Sequence, residues 1–417
     1  MIKELRFKNW KSFTEGQLYI DPLTILIGTN ASGKSNILDA LLFLQKITNG
    51  KQINEAIGGD IDSKGIRGGH KWIITHGFTE TELTVVIQSD ADEQIDYRYS
   101  IVIGWIEEGK MEVKSEMLTR ISSSAKGKKI TEKRMFYTAG DNLTQPAITT
   151  YFHTSNQGRG NRIDLRRTNS VLSQSKSLPL HKEVQQSIEE ASLQLSRIFV
   201  LDPIPANMRG YTKFSDRLQS DASNIAGVLA ALNNGTKQEI ENTLTQYLKR
   251  LPEKEINHVW AEPVGLLKTD AMLYCKEQWF ENELLIVDAG GMSDGTLRFL
   301  AIMTAMLTMP QHSLLVIEEI DNGFHPSRAK LLVQFLKEEG NRRSIDVLCT
   351  THNPAFLDAL GKEMIPVISI VYRISQTGTS QIKLLEDIVQ LPKLMSRGSV
   401  GNLTTSGILE EVLSIKI

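Results

Sequence analysis

The stretch Gly28-Thr-Asn-Ala-Ser-Gly33-Lys34-Ser35 decides the fold. It matches the pattern GxxxxGK[ST], follows the apolar run Leu23–Ile27 and precedes apolar residues at helical spacing. This strand–loop–helix setting is a second constraint beyond the pattern itself. The glycines let the backbone wrap around phosphates, so that successive N–H groups and the helix N-terminus face the anion. The stretch therefore predicts a P-loop in which Lys34 reaches the β- and γ-phosphates and Ser35 binds Mg²⁺.

Length and composition indicate a globular protein of two or three domains. The chain has 417 residues, of which 41% are hydrophobic and 23% charged, with a formal net charge of -2. This charge gives no global attraction to nucleic acid, so any such contact must come from a local patch.

Cys275 and Cys349 lie far apart without CxxC spacing, which supports neither a zinc site nor a disulfide framework. The N-terminus does not have the pattern of a signal peptide, and no apolar run approaches the roughly 18 residues of a bilayer span. We expect a cytoplasmic protein without a membrane partner.

Three segments differ in their hydrophobic pattern. Residues 1–115 predict an N-terminal lobe, with antiparallel strands over Thr81–Gln88 and Tyr97–Trp105. Residues 116–283 predict an insertion of loops followed by helices, and residues 284–417 predict a C-terminal lobe with a βαβ rhythm that completes the sheet begun in the first segment. The expected fold is α/β, a P-loop NTPase with a mixed parallel core sheet, an antiparallel β subdomain and a helical insertion.

Two acids follow a second buried strand. The apolar run Leu314–Ile317 leads into Glu318 and Glu319, as a core strand that delivers carboxylates to its C-terminal edge requires. One carboxylate can hold the metal while the other polarises the attacking water. We assign Glu318 to magnesium and Glu319 to water. An Asp is commoner at the first position, so the division of roles between the two acids stays open.

Two further residues gain meaning from their positions. Ser293, within Gly290–Thr296, is a good N-cap, and the small residues around it let a phosphate approach the helix N-terminus. His352 follows the strand pattern of residues 346–351, where a histidine can hydrogen-bond a γ-phosphate. Alone, each residue is more often structural. Their places before and after the double Glu favour a catalytic role.

These motifs, in this order, resemble the ABC-type ATPases, and within them the SMC/RecF/OLD-like branch. The resemblance covers the first 115 and the last 130 or so residues well and the middle only weakly. It rests on Asn9-Trp-Lys11-Ser12-Phe13, Gly28–Ser35 (Walker A), Met292–Thr296 (signature), Val316–Glu319 (Walker B), Asp321–Pro326 and Thr351–Pro354, with Ser220–Asn224 also similar to the smaller ATPases of this branch.

The resemblance implies an ABC-type head whose ATP site is shared by two subunits. Ser293 and Gly295 of one subunit would meet the nucleotide held by the other. The implied catalytic residues are Lys34, Glu319, His352 and Ser293. The implied nucleotide contacts are Lys11, Ser12, Asn30, Gly33, Lys34, Ser35, Asn36, Ser293 and Gly295, and the metal ligands are Ser35, Glu318 and, as the glutamine of the Q-loop, Gln88. Arg67 is either an arginine of the kind seen in SMC heads or part of a glycine-rich surface turn.

The preferred function is an ATP-driven switch, a homodimer or higher homo-oligomer acting in anti-phage defence or DNA repair. About 65 residues follow His352, too few for the Toprim nuclease domain of OLD-like relatives. We therefore expect a separate effector, such as a Toprim-type nuclease. DNA contacts are the less favoured interpretation of two basic runs, since such runs are usually solvated loops. Their residues are Lys126, Lys128, Lys129, Lys133 and Arg134, then Arg159, Arg162, Arg166 and Arg167.

Two alternatives rank lower. The first is the ATPase subunit of an ABC transporter. It is disfavoured because about 260 residues separate Ser35 from Ser293, whereas the ATPases of ABC transporters place these motifs much closer together. An assembly scaffold that uses ATP as a ligand with slow turnover is the other alternative. It ranks below the enzyme because every residue for hydrolysis is present.

Overall fold

A computed structural model describes residues 1–61, 63–107, 109–123, 130–139, 145–153, 160–251, 256–280, 283–396 and 398–414. Four basic residues named above as candidate DNA contacts lie outside these ranges, namely Lys126, Lys128, Lys129 and Arg159. Within these ranges, no helix is both long enough and apolar enough to cross a bilayer.

The elements follow one another along the chain in three groups. The first group is β1 (Ile2–Trp10), β2 (Phe13–Tyr19), β3 (Leu23–Ile27), α1 (Lys34–Thr48), α2 (Ile53–Gly58), α3 (Gly69–Trp72), β4 (Glu80–Gln88), β5 (Ile95–Glu107), β6 (Lys110–Ser123), β7 (Ile130–Thr138), β8 (Ala147–Phe152) and β9 (Asn161–Arg166). The second is α4 (Val171–Ser175), α5 (Lys182–Ser196), β10 (Ile198–Leu201), β11 (Thr212–Lys213), α6 (Ile225–Ala231), α7 (Asn234–Lys249), β12 (Ile256–Val264), β13 (Asp270–Phe280) and β14 (Glu283–Asp288). The third is α8 (Asp294–Thr308), β15 (Leu314–Ile317), α9 (Pro326–Arg343), β16 (Asp346–Thr350), α10 (Pro354–Leu360), β17 (Ile368–Arg373), β18 (Ser380–Leu384), α11 (Leu391–Met395), α12 (Val400–Thr405) and α13 (Ile408–Ser414).

An antiparallel sheet of eight strands crosses the expected boundary at residue 115. Its order is β2-β1-β4-β5-β6-β7-β8-β9. The expectation that the segment 116–283 begins with loops was therefore wrong, because β6 to β9 continue this sheet. These outer strands are rich in Thr, Ser, Arg and Tyr, and a sheet with one solvated face needs few apolar residues. The division into three domains at residues 115 and 283 stays a prediction.

A second sheet, mostly parallel, forms the core and confirms the expected α/β class. Its order is β10-β15-β16-β3-β17-β18, parallel from β10 to β17 and antiparallel at β18. The strands β3, β15 and β16 are buried throughout, as their continuous apolar runs require. The strand β3, from the start of the chain, lies between β16 and β17, so both ends of the chain build one sheet.

A third sheet accompanies the helices of the middle segment. The strand β13 pairs with β11, β12 and β14. The expected helices are present as α5, α6 and α7, but the β12–β13 hairpin was not anticipated. The side chains of Trp260 and Tyr274 stack across this hairpin with their rings 5.6 Å apart.

The fold gathers three predicted motifs at one edge of the core sheet. The carboxyl end of β3 leads into the P-loop, β15 ends before Glu318, and β16 ends before Thr351 and His352. Because parallel strands expose their carboxyl ends at the same edge, this is where an α/β sheet binds ligands.

Candidate active site

The loop between β3 and α1 is shaped by three residues with left-handed backbone conformations. Gly28 has φ 144°, Ala31 has φ 62° and Gly33 has φ 118°. A Cβ on Gly28 would lie 2.0 Å from the backbone oxygen of Val371, and one on Gly33 would lie 2.6 Å from Ser380 Oγ. Both positions therefore require glycine. Gly33 gives α1 no side-chain cap, and a helix start of this kind offers its first N–H groups to an anion.

Lys34 lies over this cradle. Its Nζ donates to the backbone oxygens of Gly28 at 2.6 Å and Thr29 at 3.0 Å. The ammonium is thus held against the backbone of the loop, and its contact with phosphate stays a prediction. Asn30 is exposed on the same loop.

Two predicted metal ligands are in direct contact. Ser35 Oγ donates to Glu318 Oε1 at 2.8 Å. A hydroxyl and a carboxylate are hard oxygen ligands, and Mg²⁺ in nucleotide sites takes one or two carboxylates together with substrate phosphates. The residues present therefore fit this metal.

Arg67 ties the metal ligands to the start of α1. Its Nη1 donates to Glu318 Oε1 at 2.6 Å, and its Nε donates to Asp39 Oδ1 at 3.1 Å. Lys11 Nζ lies 2.5 Å from Asp39 Oδ2 and donates to the Arg67 backbone oxygen at 2.7 Å. The Gly65–Gly69 turn is thus more than a surface turn, because its arginine reaches the carboxylate of the metal site.

Lys11 and Asp39 form a buried ion pair in this network, with side chains 6% and 3% exposed. Burial lowers the pKa of Lys11, and the Asp39 carboxylate works in the opposite direction. The structure thus gives Lys11 a partner inside the protein. Its direct contact with nucleotide stays a prediction.

Ser12 and Asn36 lie together beside the P-loop. Asn36 Nδ2 donates to Ser12 Oγ at 2.7 Å, and Trp10 Nε1 donates to the Asn36 backbone oxygen at 2.8 Å. Ser380 Oγ lies 2.7 Å from Ser12 Oγ and 2.5 Å from the Ser32 backbone oxygen. These bonds fasten the end of β1 and the start of β18 to the P-loop.

Glu319 and His352 face each other at the carboxyl ends of β15 and β16. Glu319 Oε1 is 3.6 Å from His352 Nδ1, and both side chains are 45% exposed. Glu319 has a left-handed backbone, φ 48°, and its N–H donates to Thr350 Oγ1 at 2.9 Å. This turn directs the carboxylate away from the core strand. A carboxylate beside an imidazole can accept a proton from water and orient a phosphate.

A groove of about 370 Å³ opens next to this pair. Its lining comes from Asp321–Phe324 and from His352–Pro354. The groove is thus bounded by the two segments that follow Glu319 and Thr351.

Ser293 and Gly295 lie at the start of α8. Ser293 is exposed and accepts a hydrogen bond from the Thr296 N–H at 3.2 Å, as an N-cap does. Gly295 is buried, and a Cβ there would lie 2.7 Å from the backbone oxygen of Gly323.

Gln88 is not part of this cluster, so its assignment as a metal ligand was wrong. Its backbone N–H donates to the Met1 oxygen, and its side chain donates to the Glu93 oxygen at 3.3 Å. Gln88 lies beside the first residues of β1, whereas Lys11 follows the last residue of that strand. The two ends of β1 are separated by roughly 27 Å of extended chain. The antiparallel register of β1 and β4 places Gln88 away from the site. Its assignment was based on its position along the sequence after the P-loop helix, and that position does not determine the strand register.

Arg167 leaves the set of candidate DNA contacts. It is 1% exposed, and its guanidinium donates to the backbone oxygens of Val113 and Gln145 at 3.0 Å each. Lys133 is paired with Glu183, and Arg162 with Asp164. Arg166 is exposed on β9.

Sequence reasoning missed three residues near the site. Asp39 binds Lys11 and Arg67, and Arg209 contacts the loop before α8. Asp202 follows β10, the neighbour of β15, and burial together with the Glu318 carboxylate raises the pKa of Asp202. The apolar run Ile198–Leu201 that ends at this acid was an available signal.

The chain is an ATPase, and its fold is that of an ABC-type, SMC-like head. The family model described as "AAA domain, putative AbiEii toxin, Type IV TA system" matches residues 23–358, and the chain belongs to this family. The chain is also similar to an "ATP/GTP phosphatase" of Helicobacter pylori, at 22% identity over 378 residues, covering 86% of this chain and 87% of that protein.

Two solved structures of SMC heads are similar to this chain. A crystal structure of an SMC head bound to the C-terminal winged-helix domain of ScpA has a TM-score of 0.51 at 13% identity, covering 92% of this chain and 96% of that one. The SMC head domain from Thermotoga maritima has a TM-score of 0.42 at 14% identity, with 92% and 98% covered. At such identities the first likeness shows the fold alone.

Proposed function

We propose that this ATPase is a switch made of two heads, which ATP and Mg²⁺ hold together and hydrolysis releases. The observation that carries the proposal is the division of the machinery within one chain. Ser35, Glu318, Glu319 and His352 gather around the P-loop edge, whereas Ser293 is exposed at the start of the 15-residue helix α8. An exposed helix N-terminus is suited to receive a phosphate from a second subunit.

The residues of this chain divide the work of hydrolysis as follows. Lys34 and the first N–H groups of α1 bind the β- and γ-phosphates. Mg²⁺ held by Ser35 and Glu318 would neutralise the charge that develops on the phosphates. Glu319 takes a proton from the attacking water, and His352, 3.6 Å away, orients the γ-phosphate. Ser293 of the second subunit closes the site and excludes bulk water.

The proposal places this switch in anti-phage defence or DNA repair, where it controls a separate effector such as a Toprim-type nuclease. Two observations support this direction. The family description names a toxin and a toxin–antitoxin system, and the similar SMC head was solved with a bound ScpA domain. An ATP-dependent pair of heads presents a partner-binding surface in only one of its two states, as an effector switch requires.

The test is the Glu319→Gln variant, followed by light scattering after gel filtration and by phosphate release. With the proton acceptor removed, we expect ATP and Mg²⁺ to convert the variant to a stable dimer while turnover falls at least 100-fold. The matched control is Glu386→Gln, which changes an exposed carboxylate and is expected to behave like the native protein.

The two failures of this test differ. If neither protein forms an ATP-dependent dimer, the two-head switch is wrong. If dimers form equally well in both and turnover is unchanged, ATP acts as an assembly ligand, which is the scaffold alternative.

A further inference from the structure

Arg209 holds the loop that precedes α8. Its Nη1 lies 2.7 Å from the backbone oxygen of Gly290 and 2.8 Å from that of Met292. Its Nη2 donates to Asp294 Oδ1 at 2.6 Å. One guanidinium therefore spans the loop from its first glycine to the first residue of the helix, with Ser293 between its contacts.

Arg209 adds to the other contacts of this loop, in which the Gly291 N–H donates to the Asp288 backbone oxygen at 3.0 Å and Met292 is buried. Gly290 and Gly291 are adjacent, and glycine loses more conformational freedom on ordering than any other residue. The guanidinium is planar and rigid, so it binds several oxygens with a small loss of entropy. Arg209 thus replaces the packing that the two glycines cannot provide.

Arg209 also offsets a negative charge at the start of α8. Asp294 is the first residue of α8 and its side chain is 68% exposed. An unpaired carboxylate there would repel a phosphate approaching Ser293. The contact with Arg209 offsets that charge and leaves the N–H groups of α8 to attract the anion.

The backbone that leads to Arg209 is anchored at the end of β10 and by the segment around Asp221. It follows β10 by way of the 3-10 turn Pro205–Met208, in which Met208 is buried. The N–H of Asp202 donates to the Ser220 oxygen, and Asn207 Nδ2 donates to Asp221 Oδ2 at 3.0 Å. The support for the loop therefore follows the strand next to β15, the strand that ends just before Glu318.

We propose that Arg209 is a positioning residue for the ATP site of the opposite subunit. It keeps Ser293 and the start of α8 in the geometry in which they meet the nucleotide of the second head, and this inference rests on the two-head function proposed above. The defect of an Arg209 variant then lies in trans, because its own P-loop, Ser35 and Glu318 are untouched.

Mixing two inactive variants tests this placement. Arg209→Ala keeps its P-loop intact but loses the support of the loop before α8. Lys34→Ala keeps that loop intact but has a defective P-loop. Each alone is expected to hydrolyse ATP at least 10-fold more slowly than the native protein, while Arg209→Ala binds a fluorescent ATP analogue normally. Mixed at equal concentrations, they should recover about a quarter of the native rate, because half of the dimers are mixed and each mixed dimer has one intact site.

A second mixture separates this proposal from the two-head function. Ser293→Arg blocks the start of α8 directly and is combined with Lys34→Ala in the same way. Recovery in both mixtures supports the role of Arg209. Recovery only with Ser293→Arg overturns it, because Arg209 then serves its own subunit or folding. Recovery in neither overturns the two-head function and, with it, the role of Arg209.

The Arg209→Lys variant distinguishes a positioning role of Arg209 from a role in the stability of the fold. It keeps the charge near Asp294 but lacks the planar fork that bridges Gly290 and Met292. We expect its hydrolysis rate to lie between those of the native protein and Arg209→Ala, at equal melting temperature. A rate that follows the melting temperature across the variants would show that Arg209 only stabilises the fold.

Discussion

Ser35 Oγ and Glu318 Oε1 lie 2.8 Å apart, although 283 positions separate the two residues in the sequence. The contact joins α1, which follows the first core strand, to the end of β15. It places the hydroxyl and the carboxylate of the proposed magnesium site in direct contact. Several consequences of this arrangement are open to measurement.

Removal of the Lys34 ammonium should abolish tight nucleotide binding. Lys34→Ala deletes the only charge that the structure places over the Gly28 and Thr29 oxygens within the described P-loop. We expect kcat/KM for ATP to fall by about 10²–10³, as for loss of one preorganised electrostatic group. Lys393→Ala, at an exposed lysine of α11, is the control. A fall of less than tenfold would contradict the assignment.

Glu319 and His352 should act as a unit. Their side chains are 3.6 Å apart, so a double-mutant cycle is informative. Glu319→Gln and His352→Ala should each lower kcat by about 10²–10⁴, and the double variant should be no slower than the slower single variant. His181→Ala, which changes an exposed histidine, should leave kcat unchanged. Independent, multiplicative losses would argue against the pair.

Gly33→Ala should disrupt the P-loop without unfolding the protein. The added Cβ would meet Ser380 Oγ at 2.6 Å and would require an alanine at φ 118°, which L-residues rarely adopt. We expect loss of ATP binding in calorimetry. Gly235→Ala in the first turn of α7 meets no atom closer than 3.8 Å and should bind ATP normally. Native affinity in Gly33→Ala would show that the cradle is not shaped as described.

Asp346→Asn should change the pH dependence of stability. The pKa of Asp346 is raised from 3.8 to about 7, chiefly by burial; the Met1 amine lowers it, and the neighbouring Asp21 and Asp90 carboxylates contribute to the rise. The folded state therefore retains this proton at pH values where the unfolded chain has lost it. The resulting contribution of Asp346 to the free energy of unfolding is fully present below pH 4 and is lost as the pH rises through 7.

The measurement is the melting temperature of both proteins at pH 5 and pH 7.5. The asparagine variant should gain on the native protein between these values by about 2.7 kcal/mol, since about two pH units separate pH 5 from the folded pKa of about 7 and each is worth 1.36 kcal/mol. Asp387→Asn, at an exposed carboxylate, should show no such gain. A constant difference at both pH values would rule out titration of Asp346 in this range.

Local pattern predicted those parts of the site that follow a buried strand directly. Leu23–Ile27, Leu314–Ile317 and Asp346–Thr350 are short, buried strands, and each ends at a motif on the same sheet edge. The roles of Lys34, Glu319 and His352 stay predictions, although the structure brings the last two together.

Residues that depend on pairing across the chain were beyond such reasoning. The position of Gln88 follows from the register of β1 with β4, and the burial of Arg167 follows from its bonds to Val113 and Gln145. Arg209 reaches the loop before α8 from more than 80 positions away. None of these contacts leaves a periodic trace in the sequence, because register and side-chain direction are set by the assembled sheets.

The place of β3 between β16 and β17 has a consequence for synthesis of the protein on the ribosome. The P-loop strand is made within the first 27 residues, yet its two neighbours end at Thr350 and Arg373. At about 5–20 residues per second, the nascent β3 waits roughly 20–70 s for them. During that interval β3 lacks both of its neighbours in the core sheet, so a chain interrupted before residue 346 cannot assemble the sheet edge that holds the P-loop beside Glu318 and His352.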